Sequence, residues 1–180
     1  MSPGRVTLYI AASLDGFIAD EDGGVGWLDE YQQTAESGET GEAYAAFFES
    51  VDCLVVGSKT YEQIRGFGEW PYGDRPTYVL THRDLPRAAE TVEFRDGDVQ
   101  SVATELKEQY GHVWLVGGAA LAGSFLREGQ IDEIRLSLIP VLLGGGVSLF
   151  PATDETQALE LRDAVARDDG IVELRYRVHN

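Results

Sequence analysis

The residues best suited to chemistry lie at three places where an apolar run ends. VVGSKTYE sets Gly57, Ser58, Lys59 and Thr60 at a strand-to-helix junction, and YVLTHRD ends a strand with Thr81, His82 and Arg83. WLVGGAALAGSF passes from Trp114–Val116 through Gly117 and Gly118 into a helical pattern. A helix N-terminus carries backbone N–H groups without intrahelical partners, and glycine lets an anion approach them with no Cβ in the way. Three such junctions carrying Lys59, His82 and Arg83 suit the phosphates of a dinucleotide. Neither G-x-G-x-x-G nor G-x-x-x-x-G-K-[ST] is present. Each junction taken alone is more often a plain turn, and Thr-His-Arg at a strand end is usually solvated.

A second set of residues could act on a ring. In TLYIAASLDGFIAD, Ala11 and Ala12 leave room for a flat ring at a strand end, although small core residues explain them as well. Asp15 follows directly; it is either a catalytic carboxylate or the centre of a Leu-Asp-Gly turn accepting backbone N–H bonds. Trp27 stacks on a substrate ring or anchors its loop. Glu42, a second candidate acid, is equally a charge favoured by a helix N-terminus. Tyr44 and Phe48 on the same segment are candidate substrate contacts. His82, His112 and His179 are dispersed without metal-ligand spacing, so no metal is expected. Ser13 and Ser58 lack a nucleophile-elbow context.

The elements that must position these groups alternate between apolar strands and amphipathic segments, the α/β pattern. Strands are expected near 6–12, 53–57, 77–81, 91–94, 112–116 and 133–138, and helices over 42–50, from 60, over 99–110 and over 119–127. Leu159 to Val165 and Ile171 to Val178 alternate as a hairpin around Arg167 to Gly170. Residues 19–41 are acidic and Gly-rich and are expected to form a long loop. RGFGEWPYGDR (65–75) reads as a cleft wall or a surface turn. With no repeat and no linker, the 180 residues are expected to form one domain.

The chain carries 31 acidic against 14 basic residues, a net charge of −17, with Lys59 and Lys107 its two lysines. Such a surface repels nucleic acid and anionic membranes, and it points to a molar-salt cytoplasm in which repulsion is screened. Cys53, the single cysteine, sits in an apolar run and reads as a buried free thiol. No run is long enough to span a membrane and the N-terminus lacks a signal-peptide layout, so a cytoplasmic location is expected.

In order along the chain, IAASLDGFIAD, VVGSKTYE, YVLTHR, WLVGGAAL and IDEIRLSLIPVLLGGGVSLFP resemble the dihydrofolate reductase superfamily, in particular the branch of the C-terminal reductase domain of riboflavin biosynthesis (RibD). The resemblance implies a three-layer α/β fold. Its central sheet has about eight strands, mostly parallel, with a C-terminal antiparallel hairpin and helices on both faces. It implies an NADPH-dependent oxidoreductase, similar to dihydrofolate reductase or 5-amino-6-(5-phosphoribosylamino)uracil reductase, acting on a pterin, pyrimidine or riboflavin-precursor ring. Ala11 would lie near the nicotinamide. Gly57, Ser58, Lys59 and Thr60, with Val116, Gly117, Gly118, Ala119 and Leu121, would hold the pyrophosphate. Thr81, His82 and Arg83 would line the 2′-phosphate, with no acid expected to stand there and hold a free ribose 2′-hydroxyl. The two glycines would be joined by a cis peptide.

The sequence departs from the pattern in two places. Ser58 stands where many members carry an arginine for the 2′-phosphate, so a flavin or deazaflavin in the same cleft stays open. No acid falls securely at the folate position, which leaves a nucleotide-binding module without turnover as a second reading. The apolar 131–151 stretch suggests a homodimer.

Overall fold

The computed structural model describes residues 2–35 and 38–180. An eight-stranded sheet runs in the order β5-β4-β3-β6-β1-β7-β10-β9. Its strands are β1 (Arg5–Ser13), β3 (Cys53–Gly57), β4 (Thr77–Leu80), β5 (Val92–Arg95), β6 (His112–Gly117), β7 (Glu133–Ile139), β9 (Leu159–Ala166) and β10 (Val172–Val178). The pairs β5-β4, β4-β3, β3-β6 and β6-β1 are parallel, whereas β10 pairs antiparallel with β7 and β9. A short antiparallel pair, β2 (Phe17–Ala19) and β8 (Val147–Ser148), lies apart from it. The mixed sheet with its C-terminal hairpin is the one the sequence leads one to expect.

The chain divides into two compact units. The first comprises the N-terminal residues through Leu8, Val51–Asp132 and Asn180. Its parallel strands read as continuous apolar runs because both faces are covered: Leu54, Val55, Val56, Val113 and Leu115 are all fully buried. Helices α3 (Ser58–Gly66), α4 (Val99–Gln109) and α5 (Ala119–Arg127) follow strands within this unit. Asp98 caps α4, its carboxylate accepting from the Ser101 amide at 2.9 Å, and Val102, Ala103 and Leu106 form the buried stripe. The 65–75 segment is more than a surface turn. Trp70 meets Tyr61 and Tyr72 edge-on, Tyr72 meets Trp114, and Tyr72 is buried. These rings close over the core around Val56, Tyr61 and Val79.

The second unit comprises Tyr9–Ser50 and Glu133–His179. Here the expected long loop over 19–41 is corrected. After β2, the Asp20 carboxylate accepts from the amides of Asp22 and Gly24 at 3.0 and 2.7 Å and forms a tight turn. A single 3-10 turn (Gly26–Leu28) leads into α1 (Asp29–Ala35), and α2 spans Gly38–Ser50. Residues 36 and 37 of the expected loop lie outside the described residues. Asp29 and Glu30 in the first turn of α1 suit the positive end of its dipole, and α1 packs on α2. A helix resting on another helix needs little apolar surface, which is why its polar composition reads as loop. Among the described residues no helix is long and apolar enough to cross a membrane.

Candidate functional site

In the first unit, β3 and β6 lie side by side and bring two glycine turns together. Val56 pairs with Gly117 after a register shift, so both strands end at the same level. The Gly117–Gly118 peptide is cis, and Gly117 adopts φ +124°, a conformation that side chains disfavour. A Cβ on Gly57 would meet the Gly117 carbonyl oxygen at 3.6 Å and the Gly118 nitrogen at 3.7 Å; one on Gly118 would meet Thr60 Oγ1 at 2.9 Å. A side chain on Gly57 would thus make ordinary contacts, whereas one on Gly118 would press into Thr60 of the neighbouring turn.

Each turn opens a helix whose first N–H groups are left for something other than a side chain. Gly57 is the N-cap of α3 and Gly118 of α5, and neither helix receives a side-chain cap, in contrast to Asp98 on α4. Uncapped amides from two helix N-termini, with their positive dipole ends, form an anion cradle. Ser58, Lys59 and Thr60 occupy the first turn of α3, with Lys59 exposed; Ala119 and Leu121 occupy that of α5, and Val116 is half-buried on β6. This set fits a diphosphate.

Beside it, the end of β4 carries Thr81, His82 and Arg83. Thr81 donates its amide to the Arg95 carbonyl at 2.9 Å, and its hydroxyl oxygen accepts from the Arg83 amide at 3.0 Å. One expectation is overturned: acids do stand here. Arg83 donates through both terminal nitrogens to Glu62 of α3, at 3.0 and 2.7 Å, and His82 pairs with Asp96 just beyond β5. Arg83 holds the Glu62 carboxyl below its usual range. Local sequence around Thr81 could not reveal this, because the two carboxylates arrive from other elements.

The second unit holds the ring-binding candidates. Tyr9 on β1 packs against Phe47 of α2 with centroids 4.5 Å apart, Tyr44 stacks on Tyr9 at 6.4 Å, and Phe48 stacks on Tyr44 at 6.2 Å. The expected residues Tyr44 and Phe48 thus lie together on α2, beside Tyr9 and Phe47. The Arg135 guanidinium lies 5.0 Å from the Tyr9 centroid and 5.2 Å from that of Phe47. Its Nε donates to Glu173 at 2.6 Å, and Arg167 approaches the other oxygen of Glu173 at 3.6 Å. Burial raises the Tyr9 hydroxyl above its ordinary value and pushes that of Tyr44 up to about 12. The signal for this cluster was present: Glu133, Arg135 and Ser137 line one face of β7, and Tyr9 shares the strand face of Ala11.

Asp15 is exposed and fully engaged. It accepts from the Ser13 hydroxyl at 2.6 Å and from the amides of Leu143 and Gly144 at 3.1 and 2.8 Å. The Ser13 bond, then the backbone amides, hold its carboxyl below the usual range. It thus makes the turn contacts expected of a Leu-Asp-Gly sequence and ties down the loop after β7. Ala11 is half-buried on β1, Glu42 is exposed on α2, and Trp27 sits partly buried in the 3-10 turn.

Residues 5–172 match the family model of the RibD C-terminal domain. The chain belongs to the RibD C-terminal domain family. It is 38% identical over 156 residues to the uncharacterized protein YwjB of Bacillus subtilis (strain 168), covering 85% of this chain and 87% of that protein. A Shewanella sp. PV-4 protein, provisionally named a riboflavin biosynthesis protein, superposes with a TM-score of 0.86 at 28% identity over 98% of this chain and 99% of that one. The fold extends to dihydrofolate reductase from Enterococcus faecalis complexed with NADP(H) and RAB-propyl, with a TM-score of 0.68, 19% identity and 99% and 98% coverage. This RibD C-terminal domain is thus a three-layer α/β protein of the dihydrofolate reductase type, as its sequence motifs imply.

Proposed function

We propose that this chain is an NADPH-dependent reductase that delivers a hydride to a small heterocycle of the pterin, pyrimidine or riboflavin-precursor type. Family membership supports a reductase acting on a heterocyclic substrate. The observation that carries the cofactor assignment is the pair of uncapped glycine turns at Gly57 and Gly117–Gly118. In this reading the backbone of Gly57–Thr60 and Gly117–Leu121 holds the pyrophosphate, Lys59 adds positive charge, and Thr81, His82 and Arg83 face the 2′-phosphate. Ala11 keeps the place beside the nicotinamide that the family implies. When bound, the dinucleotide supplies the hydride; the protein supplies orientation.

On the substrate side, Tyr44 and Phe48 offer aromatic surface, with Trp27 a further ring. Asp15, held ionised by three donors, acts as a positioning residue for the Leu143–Gly144 loop, and Glu42 is kept as the candidate acid. Exposed Leu142, Val147 and Phe150 support a homodimer through this part of the chain. Sedimentation in molar salt tests that, and a monomer at every concentration refutes it.

Calorimetric titration with NADPH tests the cofactor, and loss of reduced-nicotinamide absorbance across a panel of pterins and aminopyrimidines tests the reaction. Tight binding with no turnover on any member of the panel would replace the reductase with a nucleotide-binding module.

A further inference from the structure

Resting on the dinucleotide reading above, we infer that Glu62 is a specificity residue: it competes with the cofactor's 2′-phosphate for the guanidinium of Arg83 and so sets the preference between NADPH and NADH. Arg83 is the cation best suited to a phosphate at the end of β4, because a planar guanidinium can present two parallel N–H donors to one anion. In the structure both terminal nitrogens already face Glu62, at 3.0 and 2.7 Å. The neighbouring His82 is likewise occupied by Asp96. Ser58, at the start of the same helix as Glu62, brings no charge of its own.

A 2′-phosphate must therefore displace one carboxylate and settle near it. A free 2′-hydroxyl faces no such penalty and can instead donate to Glu62. The pair is partly open to solvent, with side-chain exposures of 55% for Arg83 and 34% for Glu62, so it can open without disturbing the core. An exposed ion pair is weak, and a like charge at contact distance in water costs a similar amount. Together they amount to about a tenfold effect on relative affinity at low salt, shrinking as salt screens both.

The test is the ratio of NADH to NADPH dissociation constants, measured by calorimetry on the full chain and its variants at low and molar salt. Glu62→Gln is expected to raise the ratio about tenfold at low salt, and to tighten 2′,5′-ADP while leaving 5′-ADP little changed. Measured against Arg83→Gln alone, the Glu62→Gln gain is smaller in the double variant, because the like-charge contribution alone remains once Arg83 is gone. A ratio unchanged by Glu62→Gln while both dinucleotides bind overturns the inference and leaves the cofactor assignment standing. A gain of undiminished size after loss of Arg83 overturns it also, because competition for the guanidinium then contributes nothing. Binding of neither dinucleotide overturns both.

Discussion

Replacing Gly118 by alanine is the sharpest probe of the glycine cradle. Gly118 has φ −82°, so alanine meets no intrinsic backbone objection there; the consequence is purely steric. The added Cβ would lie 2.9 Å from Thr60 Oγ1, closer than real Cβ contacts come, and Thr60 is β-branched and stiff. Either Thr60 or the first turn of α3 must yield by several tenths of an ångström. Overpacking of this kind costs about 1–3 kcal/mol, which lowers Tm by about 2–10 °C for a chain of this size. Separating the two turns also withdraws at least one amide from the phosphate. A hydrogen bond to a charged group contributes about 1.5–3 kcal/mol, so NADPH affinity should fall about 10- to 100-fold. The assay pairs calorimetric titration with thermal melts, on Gly118→Ala alone and combined with Thr60→Ala, which removes the contacted oxygen. The double variant should recover most of the Tm. A Gly118→Ala protein that melts lower but binds NADPH within about twofold of wild type would return the glycine pair to the status of a tight turn.

Other perturbations test the second unit and the core. Glu173→Gln leaves the largely buried Arg135 and Arg167 without their carboxylate; breaking such a pair costs about 3–5 kcal/mol. The expected fall in Tm is about 10 °C, and a shift under about 2 °C would show that solvent compensates the arginines. For Asp15, the folded carboxyl is held below its unfolded value of ~3.9, so its contribution is present above that pH and is lost as pH falls through the lower folded value. Asp15→Asn should flatten the acid limb of a Tm-against-pH profile, and limbs that run parallel would refute the loop-pinning role. The Cys53 thiol is fully buried and pushed up to about 12, first by burial and then by Asp52. Native protein should resist iodoacetamide at about pH 8 and react on unfolding; rapid labelling of the native chain would contradict its buried place in β3.

Local patterns carried most of the fold. Runs such as CLVVG and HVWLVG read as strands because they are short, rich in valine and almost wholly apolar, as strands covered on both faces are. The hairpin of β9 and β10 was legible from alternation and from Asp169-Gly170, where the chain turns back through the Gly170 amide to Arg167. The two glycine turns were legible as well, since a strand ending in glycine before a helix states its own geometry. Where the pattern was weak, α1 was lost in an acidic segment and the 65–75 rings were undecided between cleft and surface.

Tertiary structure alone decided which distant groups meet. The register of β3 on β6 sets Gly57 against Gly117, and the parallel pairing of β3, β4 and β5 gathers Glu62, Arg83, His82 and Asp96 at one end of the sheet. Around Thr81 the sequence offers hydroxyl, imidazole and guanidinium, with Asp84 next in line, and it reads as a phosphate site. The fold adds two carboxylates to it, because charges pair across elements at distances that sequence separation does not record. In the same way nothing in the sequence around Arg135 names its partner, and β10 brings Glu173 to within 2.6 Å of it. Residue types and their periodicity determined the elements and each glycine turn, which are short-range properties. The charge state of the cradle's neighbourhood is a long-range property, and packing decided it.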